Sequence, residues 1–248
     1  MMPTSTRLHG SWHIAVLIPA RNEEQLLPRC LSSVLQALEL LPAEVTTDVI
    51  VVADSCADAT AQCAEVMLYG KGLVLSVNAG NVGVARGLAA QQALVRFRGD
   101  GSRCWLANTD ADCQVPATWL LDQLHLANQG YGAVAGIIDV DCFAEHLPFV
   151  ESRFRSSYIL HADGTHPHVH GANLGVRADA YLHAGAWNPL STAEDHDLWK
   201  RLRNGTLPCL SDARLQVLTS GRRVGRAPLG FAGALAKHNE VPAEGAAA

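Results

Sequence analysis

Two aspartates one residue apart are the clearest chemical signal in the sequence. Asp110 and Asp112 follow a short apolar run that begins at Cys104, and such a run is typical of a buried strand. In an open α/β sheet, ligands bind in the crevice at the carboxyl ends of the strands, where this pair would lie. Two close carboxylates repel each other unless a cation joins them, so the pair indicates a divalent metal that carries a phosphate. The alternative is a solvated turn.

Polar and acidic residues also follow the first two apolar runs of the chain. Arg21–Glu23 follow the run that begins at His13, and Asp54 follows the run that begins at Asp48. If these two strands and the strand before the aspartate pair are parallel neighbours, all three exits share one crevice. Asn22 also fits a helix capping box, which is a structural role. Asp54 has no such role, so we predict that it is functional.

Two helix starts add further candidate groups. Asn81–Gly87 read N-V-G-V-A-R-G, and their backbone N–H groups together with Arg86 suit a phosphate, although the glycine spacing does not fit G-x-G-x-x-G. Ser191–Asp197 read S-T-A-E-D-H-D. A capping box formed by Ser191 and Glu194 explains part of this segment, but three acids and a histidine within four positions exceed what capping needs. One of these carboxylates is therefore a candidate general base.

A basic cluster lies near the end of the chain. Arg222, Arg223 and Arg226 stand among glycines in a chain of negative net charge. Such a segment suits an anion such as a diphosphate, because guanidinium groups bind phosphate oxygens in pairs. A solvated surface loop is an equally good interpretation of the same residues.

Three alternating histidines form another candidate. His166, His168 and His170 would share one face of an extended segment, which permits a metal site. Pro167 and the lack of nearby acids favour a plain loop instead.

Strands and helices must alternate along the first half of the chain to position these groups. Apolar runs and helical patterns do alternate there, and the strands read as unbroken apolar runs. Such runs are typical of a mostly parallel sheet covered by helices on both faces, so we predict a single α/β domain. The predicted strands cover 13–20, 48–53, 72–77, 104–107 and 131–140, and the predicted helices cover 25–41, 59–67, 81–97 and 116–128.

The second half of the chain has a different pattern. The spacing predicts a helix over 143–161, an extended segment over 165–176, helices over 179–184 and 192–203, and a last strand over 215–219. Residues 240–248 are predicted to form a disordered tail.

The composition excludes several classes of partner. The 248 residues are 48% hydrophobic and 17% charged with a formal net charge of -5, so nucleic acid and anionic membrane are not expected as main partners. No apolar stretch approaches the roughly 18 residues of a membrane span, and Met1–Trp12 lack an apolar signal core, so we expect a cytoplasmic protein. The seven cysteines are scattered without a C-x-x-C pair, which argues against a disulfide framework or a zinc knuckle.

Six segments, taken in order, resemble the family 2 glycosyltransferases of GT-A fold. They read I-A-V-L-I-P-A-R-N-E-E, D-V-I-V-V-A-D-S-C-A-D-A-T, N-V-G-V-A-R-G, N-T-D-A-D, H-G-A-N-L-G-V-R and A-E-D-H-D-L-W-K-R-L. The resemblance covers roughly residues 12–232. It implies a Rossmann-like, mixed and mostly parallel sheet, with a nucleotide-binding half over 12–140 and an acceptor half over 141–232. Residues 1–11 would be an N-terminal segment and 233–248 a C-terminal tail.

The resemblance implies transfer of a sugar from a nucleotide-diphosphate donor, a UDP- or GDP-sugar, to a hydroxyl of an unknown acceptor. It also implies Mg²⁺ or Mn²⁺ and inversion at the anomeric carbon. The chain lacks the Q-x-x-R-W motif and the membrane helices of processive polysaccharide synthases, which favours a single transfer to a soluble or peripheral acceptor. A homodimer is left open.

Two alternatives to a glycosyltransferase remain. A catalytically idle sugar-nucleotide-binding protein would not need the intact acids at 110, 112 and 195. A sugar nucleotidyltransferase would carry a Gly-rich basic loop after Pro19, and this chain has none there.

Carried over by position, the resemblance implies roles for the residues of the nucleotide-binding half. Asp54 would bond the base, Arg86 would approach the ribose or the diphosphate, and Asp110 would contact the ribose or the donor sugar. Asp112 would bind the metal. The remaining lining of the nucleotide pocket would be Pro19, Ala20, Asn22 and Glu23.

The resemblance also assigns residues of the acceptor half. Asp195, in the Glu194–Asp195 pair, would be the catalytic base. The third protein ligand of the metal is not evident, because Thr219–Arg222 stand where the family often has a histidine or an acid. The donor-sugar and acceptor site would be shaped by Gly171, Ala172 and Asn173, and the departing diphosphate would be neutralised by arginines among Arg222, Arg223 and Arg226.

Overall fold

Seven strands form one mixed sheet in the computed structural model, which describes residues 11–227 and 230–240. In chain order the strands are β1 (His13–Ala20), β2 (Thr46–Asp54), β3 (Leu73–Val77), β4 (Cys104–Asn108), β5 (Ala133–Val140), β6 (Leu174–Arg177) and β7 (Cys209–Thr219). Their order across the sheet is β3-β2-β1-β4-β6-β5-β7. The predictions made for 1–10 and 241–248 lie outside the described residues.

Strands β2, β1 and β4 are parallel neighbours, as a shared crevice requires. Ala20 pairs with Ala53 near the ends of β1 and β2, and Leu17 pairs with Asn108 at the end of β4. The three strand exits therefore meet at one edge of the sheet. The residues that follow β4 run beside the last residues of β1.

Helices cover both faces of the sheet. Alternate residues of β1 pack into two separate hydrophobic clusters, with Ile14 and Val16 in one cluster and Ala15 and Leu17 in the other. The predicted α/β fold with a mostly parallel, doubly covered sheet is therefore confirmed. Within the described ranges, no helix combines the length and the apolar character needed to cross a membrane. The helices are α1 (Leu27–Glu39), α2 (Thr60–Leu68), α3 (Val82–Phe97), α4 (Trp119–Asn128), α5 (Val150–Ser157), α6 (Ala178–His183), α7 (Glu194–Arg203) and α8 (Phe231–Lys237).

The second half departs from the sequence predictions in three elements. The predicted helix over 143–161 shrinks to α5, which begins after Pro148, because proline disfavours a helical conformation in the residue before it. The predicted extended segment over 165–176 becomes a strand only at β6. Strand β7 begins at Cys209 and not at residue 215. It lies at the edge of the sheet, and its own residues Asp212 and Arg214 form an ion pair.

Helix α8 occupies residues assigned in part to a tail. Its Leu235 is buried and packs with Val150 and Phe154 of α5. The expected boundary at residue 232 therefore falls inside this helix.

Both predicted capping boxes are wrong. Helix α1 begins after Leu26 without a side-chain cap, and Asn22 instead accepts a hydrogen bond of 2.7 Å from the backbone N–H of Ala57. Helix α7 begins after Ala193, also without a side-chain cap, because Glu194 turns inward to an arginine of α3.

Candidate active site

Antiparallel pairing of β4 and β6 brings the aspartate pair against the second half of the chain. Asn108 pairs with Leu174, so the residues after β4 lie beside the residues before β6. The latter are Gly171–Asn173, which form a single 3₁₀ turn. Two segments more than sixty residues apart thus meet at one edge of the sheet.

Asp110, Asp112 and Cys113 form a group with metal-ligand chemistry. Their carboxylate and sulfur ligand atoms lie within 4.8 Å of one another, and no other such group of three occurs among the described residues. Burial, with the two carboxylates nearby, raises the pKa of the Cys113 thiol well above its usual value, so the thiol is protonated when no metal is bound. The two carboxylates offer the hard oxygen ligands that Mg²⁺ and Mn²⁺ prefer.

Arg222 joins Asp112 to Glu23 across the crevice. Its Nη2 donates to Oδ2 of Asp112 at 2.7 Å, and its Nη1 donates to Oε2 of Glu23 at 2.9 Å. Burial raises the pKa of Asp112 to about 6, although the positive charge of Arg222 acts in the opposite direction. The Nε of Arg222 is buried and has no partner within the described ranges. A guanidinium carries five N–H groups, so one N–H of Nη1 and the enclosed Nε–H remain without a partner among the described residues.

The other two arginines of the basic cluster are placed differently. The Nε of Arg226 lies 3.8 Å from Oε1 of Glu23, and about half of the Arg226 side chain is exposed. Arg223 is exposed, and its backbone N–H donates to Glu145. The structure thus brings Arg222 into the site and Arg226 to its rim, whereas Arg223 makes no side-chain contact with the predicted site residues within the described part of the chain.

Arg86 links the aspartate pair to the start of α7. The side chain is only 3% exposed. Its Nη2 donates to Oδ1 of Asp110 at 2.6 Å, its Nε to Oε1 of Glu194 at 3.1 Å, and its Nη1 to the carbonyl oxygen of Gly171 at 3.2 Å. Burial acts to lower the pKa of Arg86, but the carboxylates of Asp110 and Glu194 act to raise it. The pKa lies above its usual value, so the group stays cationic. Every nitrogen of this guanidinium donates to protein, and the contact with a ribose or a diphosphate stays a prediction.

The carboxylate of Asp195 is held by two backbone amides. Gly171 N–H donates to Oδ2 at 2.8 Å and His196 N–H donates to Oδ1 at 2.8 Å. Because Arg86 holds the carbonyl of Gly171 and Asp195 accepts from its N–H, the Gly171 residue couples the guanidinium to the predicted base. Burial raises the pKa of the neighbouring Glu194, although the positive charge of Arg86 acts to lower it.

Gly171, Ala172 and Asn173 shape the site by packing. A Cβ added to Gly171 would lie 2.6 Å from Cζ of Arg86, so no larger residue fits beside the guanidinium. Ala172 is buried in the core. Asn173 faces the scaffold: its Nδ2 donates to backbone carbonyls of β5 and β7, and its Oδ1 accepts from Trp119 at 2.9 Å. Asn173 therefore fixes the position of the turn and offers no free group to a ligand.

Asp54 holds the loop that starts α3, and its predicted bond to the base stays a prediction. Its Oδ1 accepts from the N–H groups of Ala79 and Gly80 at 2.7 and 2.9 Å, and its Oδ2 accepts from the N–H of Asn81 at 2.9 Å. Burial acts to raise the pKa of Asp54, but these backbone bonds lower it below its usual value. The prediction that Asp54 is functional thus has a structural explanation, since Asp54 fixes the loop that starts α3.

The exit of β1 lines the same crevice. Pro19 and Ala20 end the strand, and Asn22 adopts a left-handed backbone with φ of 53°. Glu23 is buried, and its N–H donates to Oγ1 of Thr60 at 2.7 Å, so its carboxylate is anchored where Arg222 meets it. Of these four residues, Glu23 is the one whose side chain bonds to another predicted site residue.

A comparison with protein-family models matches residues 15–183 to glycosyl transferase family 2. The chain belongs to this family. The match covers the three strand exits, the turn at Gly171–Asn173 and the arginine of α3, which are the parts that form the crevice.

Solved structures support the GT-A fold expected of this family. TarS 1-349 from S. aureus, in complex with UDP, has a TM-score of 0.60 and 17% identity, over 85% of this chain and 61% of that one. The mannosyltransferase PcManGT from Pyrobaculum calidifontis, in complex with GDP-Man and Mn²⁺, has a TM-score of 0.62 and 16% identity, over 86% of this chain and 58% of that one. The chain thus spans about three fifths of these structures. A search of curated proteins finds no match.

Two residues of this family 2 site lie outside every predicted motif. Arg29 of α1 donates from Nη2 to the backbone carbonyl of Asp112 at 3.2 Å. Trp187 lies under the guanidinium of Arg86, with 5.5 Å from Cζ to the ring centroid. A single arginine in a helix and a single tryptophan in a loop have no spacing pattern that could have revealed them.

The alternating histidines form a stack of rings and not a metal site. The centroids of His166 and His168, and of His168 and His170, are 6.0 Å apart with nearly parallel planes. The only candidate metal group among the described residues contains no histidine. The metal interpretation is therefore wrong.

Proposed function

We propose that this protein transfers a sugar from a nucleoside-diphosphate sugar to an acceptor hydroxyl, with a divalent metal and with inversion. The observation that carries the proposal is the path of hydrogen bonds that Arg86 makes. It joins Asp110, on the donor side, to Gly171 and thereby to the carboxylate of Asp195. A donor pocket and a general base are thus held in one rigid unit, as a single displacement requires.

Two observations support a divalent cation at the aspartate pair. Each aspartate uses one carboxylate oxygen for an arginine, which leaves Oδ2 of Asp110 without a partner among the described residues and Oδ1 of Asp112 with only the weak thiol contact of Cys113 at 3.7 Å. The crevice also holds more carboxylates than guanidinium groups, so a cation would reduce their mutual repulsion. When bound, Mg²⁺ or Mn²⁺ would stabilise negative charge on the departing diphosphate.

Arg222 is the protein group best placed to bind that diphosphate. Its side chain is 17% exposed, and one N–H of Nη1 has no partner among the described residues, as well as the enclosed Nε–H. Arg226 adds a second positive charge near Glu23. Charge-assisted bonds from guanidinium to phosphate are strong and directional, which suits a leaving group that gains charge as it departs.

Asp195 acts as the base in this proposal. Its two amide bonds fix the carboxylate while leaving lone pairs on both oxygens. The acceptor O–H gives its proton to Asp195, the acceptor oxygen forms a bond to the anomeric carbon, and the bond from that carbon to the diphosphate breaks. One displacement from the opposite side inverts the anomeric centre.

A thermal-shift screen of UDP-, GDP- and dTDP-sugars, with Mn²⁺ and with a chelator, tests the proposal. A donor that binds the native protein raises its Tm by mass action, and we expect the shift for one donor to shrink in chelator. The Asp112→Asn variant should lose the metal-dependent part of the shift, and Asp122→Asn, in the first turn of α4, is the matched control. No shift with any donor contradicts the proposal.

The reaction products separate the two alternatives. The proposed transfer releases a nucleoside diphosphate. Release of pyrophosphate would indicate a nucleotidyltransferase, and a thermal shift with no turnover would indicate an idle binding protein.

A further inference from the structure

A stack of aromatic rings lies beside the site and ends next to the proposed base. Tyr158 stacks on His168 at 3.8 Å between centroids, and His170 continues the stack at 6.0 Å from His168. His170 immediately precedes Gly171, whose N–H holds Asp195. The last ring of the stack is therefore next to the proposed base.

Hydrogen bonds to Tyr158 determine which nitrogen of His170 carries the proton. The N–H of Ile138 donates to the Tyr158 hydroxyl oxygen at 3.2 Å, and that oxygen lies 2.8 Å from Nε2 of His170. A hydroxyl has a single proton, and among the described residues Nε2 of His170 is the one acceptor within reach of it. With Tyr158 as the donor to His170, Nε2 is unprotonated.

In that arrangement His170 is a neutral imidazole with its proton on Nδ1. Burial lowers the pKa of His170 to about 4, although the carboxylate of Asp195 acts to raise it, so the ring is neutral at pH 7. Nδ1 has no hydrogen-bond partner within 11–227 and 230–240, and it is not among the enclosed atoms that lack one. An accessible N–H donor with a fixed tautomer thus lies beside the base.

We propose that the Nδ1–H of His170 donates a hydrogen bond to the acceptor, which makes His170 an acceptor-binding residue. The proposal rests on the proposed function, because it needs Asp195 to be the base. The reacting oxygen gives its proton to Asp195 and uses a lone pair to attack, so the bond from His170 goes to a second oxygen nearby. The acceptor class that fits is a vicinal diol of a sugar or another polyol.

Nitrogen NMR tests the tautomer without any substrate. In protein labelled with ¹⁵N-histidine at pH 7, we expect an unprotonated Nε2 and a protonated Nδ1 for His170. The Tyr158→Phe variant removes the donor to Nε2, so a mixture of tautomers should appear. A protonated Nε2 in the wild-type protein would overturn the proposal, whatever the activity.

Competition between simple alcohols tests the contact with the acceptor. With a donor that binds, glycerol and 1-propanol at equal concentration serve as probe acceptors, and the ratio of the two glycosides is measured. His170→Leu should lower the glycerol-to-propanol ratio by about tenfold, the effect of one hydrogen bond, and His170→Asn, which keeps an N–H donor, should restore part of it. His161→Leu, an exposed histidine in the same segment, should leave the ratio unchanged.

An unchanged ratio in His170→Leu overturns the proposal even if the tautomer is as expected. A wild-type protein that binds and consumes no donor contradicts the proposed function instead. In that case the NMR result still decides whether His170 carries its proton on Nδ1.

Discussion

The Nη2 of Arg222 donates a hydrogen bond of 2.7 Å to Oδ2 of Asp112, so the carboxylate expected to hold a metal is already paired with a cation. The same guanidinium binds Glu23, whose side chain is 5% exposed. A cation that enters the site must therefore share Asp112 with Arg222 or displace it. In the proposed function, Arg222 therefore contacts both the metal site and the diphosphate site.

Replacement of Arg222 should weaken donor binding and stability together. Arg222→Gln leaves Glu23 and Asp112 without their common partner, and breaking a buried pair costs about 3–5 kcal/mol. We expect donor affinity to fall by about tenfold or more, since charge-assisted bonds to the diphosphate are lost. Calorimetry with donor and Mn²⁺ measures the first effect, and urea unfolding measures the second.

Arg214→Gln is the matched control for Arg222. Its side chain is 83% exposed and pairs with Asp212 at the edge strand. Donor affinity equal to wild type is expected there. If Arg222→Gln also binds the donor as tightly as wild type, Arg222 does not contribute to donor binding.

Substitution of Arg86 by lysine should reduce turnover more than donor binding. A lysine keeps the charge but cannot reach Asp110, Glu194 and Gly171 together, because its donors sit on one nitrogen. Asp195 then loses the support that passes through Gly171. We expect kcat to fall by about 10²-fold, with a smaller change in KM, in steady-state measurements.

Arg96→Lys provides the control for Arg86. Arg96 also binds a buried carboxylate, that of Asp48 in β2, but at the opposite end of that strand from Asp54. The Arg96→Lys variant should have a lower free energy of unfolding than wild type, with kcat near the wild-type value. If both variants lose turnover in proportion to stability, Arg86 has no specific role in positioning.

Two glycine variants separate a close approach from an ordinary contact. Gly171→Ala places a Cβ against the guanidinium of Arg86, and overpacking of this kind costs about 1–3 kcal/mol. We expect lower stability and at least about tenfold lower kcat, because Arg86 and Asp195 must both move. Gly87→Ala, within α3, meets only the Cβ of Trp187 at 3.8 Å and should stabilise the helix by about 0.5–1 kcal/mol.

Thermal unfolding and steady-state kinetics compare the stability and kcat of the two glycine variants with those of wild type. A Gly171→Ala protein with full activity would show that the contact between Gly171 and Arg86 is unimportant for positioning.

The lowered pKa of His170 makes stability depend on pH. The folded ring has a pKa of about 4 against 6.5 for the ordinary value, so protons prefer the unfolded chain. The contribution of neutral His170 is full above about pH 6.5 and is lost as the pH falls towards 4. The loss is about 3 kcal/mol or less, from about 1.4 kcal/mol per pH unit. The groups that face the ring are Asp195, Tyr158, His166, His168 and His196.

Urea unfolding of wild type and His170→Asn at pH 7 and at pH 4.5 measures this effect. The wild-type protein should lose more stability between the two values than the variant does. Equal losses would mean that His170 titrates normally in the folded state.

Much of the fold follows from local sequence patterns. Residues 14–20 of β1, 49–53 of β2 and 104–107 of β4 are apolar, because both faces of the sheet are buried there, and this is visible in the sequence. The rule that ligands bind at strand ends then predicts that Asp110, Asp112 and Glu23 share one crevice. The residues that follow β4 and β1 do meet there, through Arg222.

The partners of these carboxylates could not be predicted from local patterns. Arg222 lies 199 residues from Glu23 and 110 from Asp112 along the chain, so no spacing links them. Asp54 has no structural role that local patterns reveal, because its oxygens bind amides about 25 residues later. Glu194 looked like a helix cap, but a buried arginine 108 residues away attracts it more strongly.

The most direct test of the proposed transfer is the rate of nucleoside diphosphate release by Asp195→Asn, with donor affinity measured in the same preparation. Asn keeps the size of the side chain but cannot accept the proton, so we expect release at least about 10²-fold slower than wild type with donor Kd within about twofold. Asp122→Asn, which makes the same chemical change in the first turn of α4, should behave as wild type. Release at the wild-type rate by Asp195→Asn would contradict the assignment of Asp195 as the base.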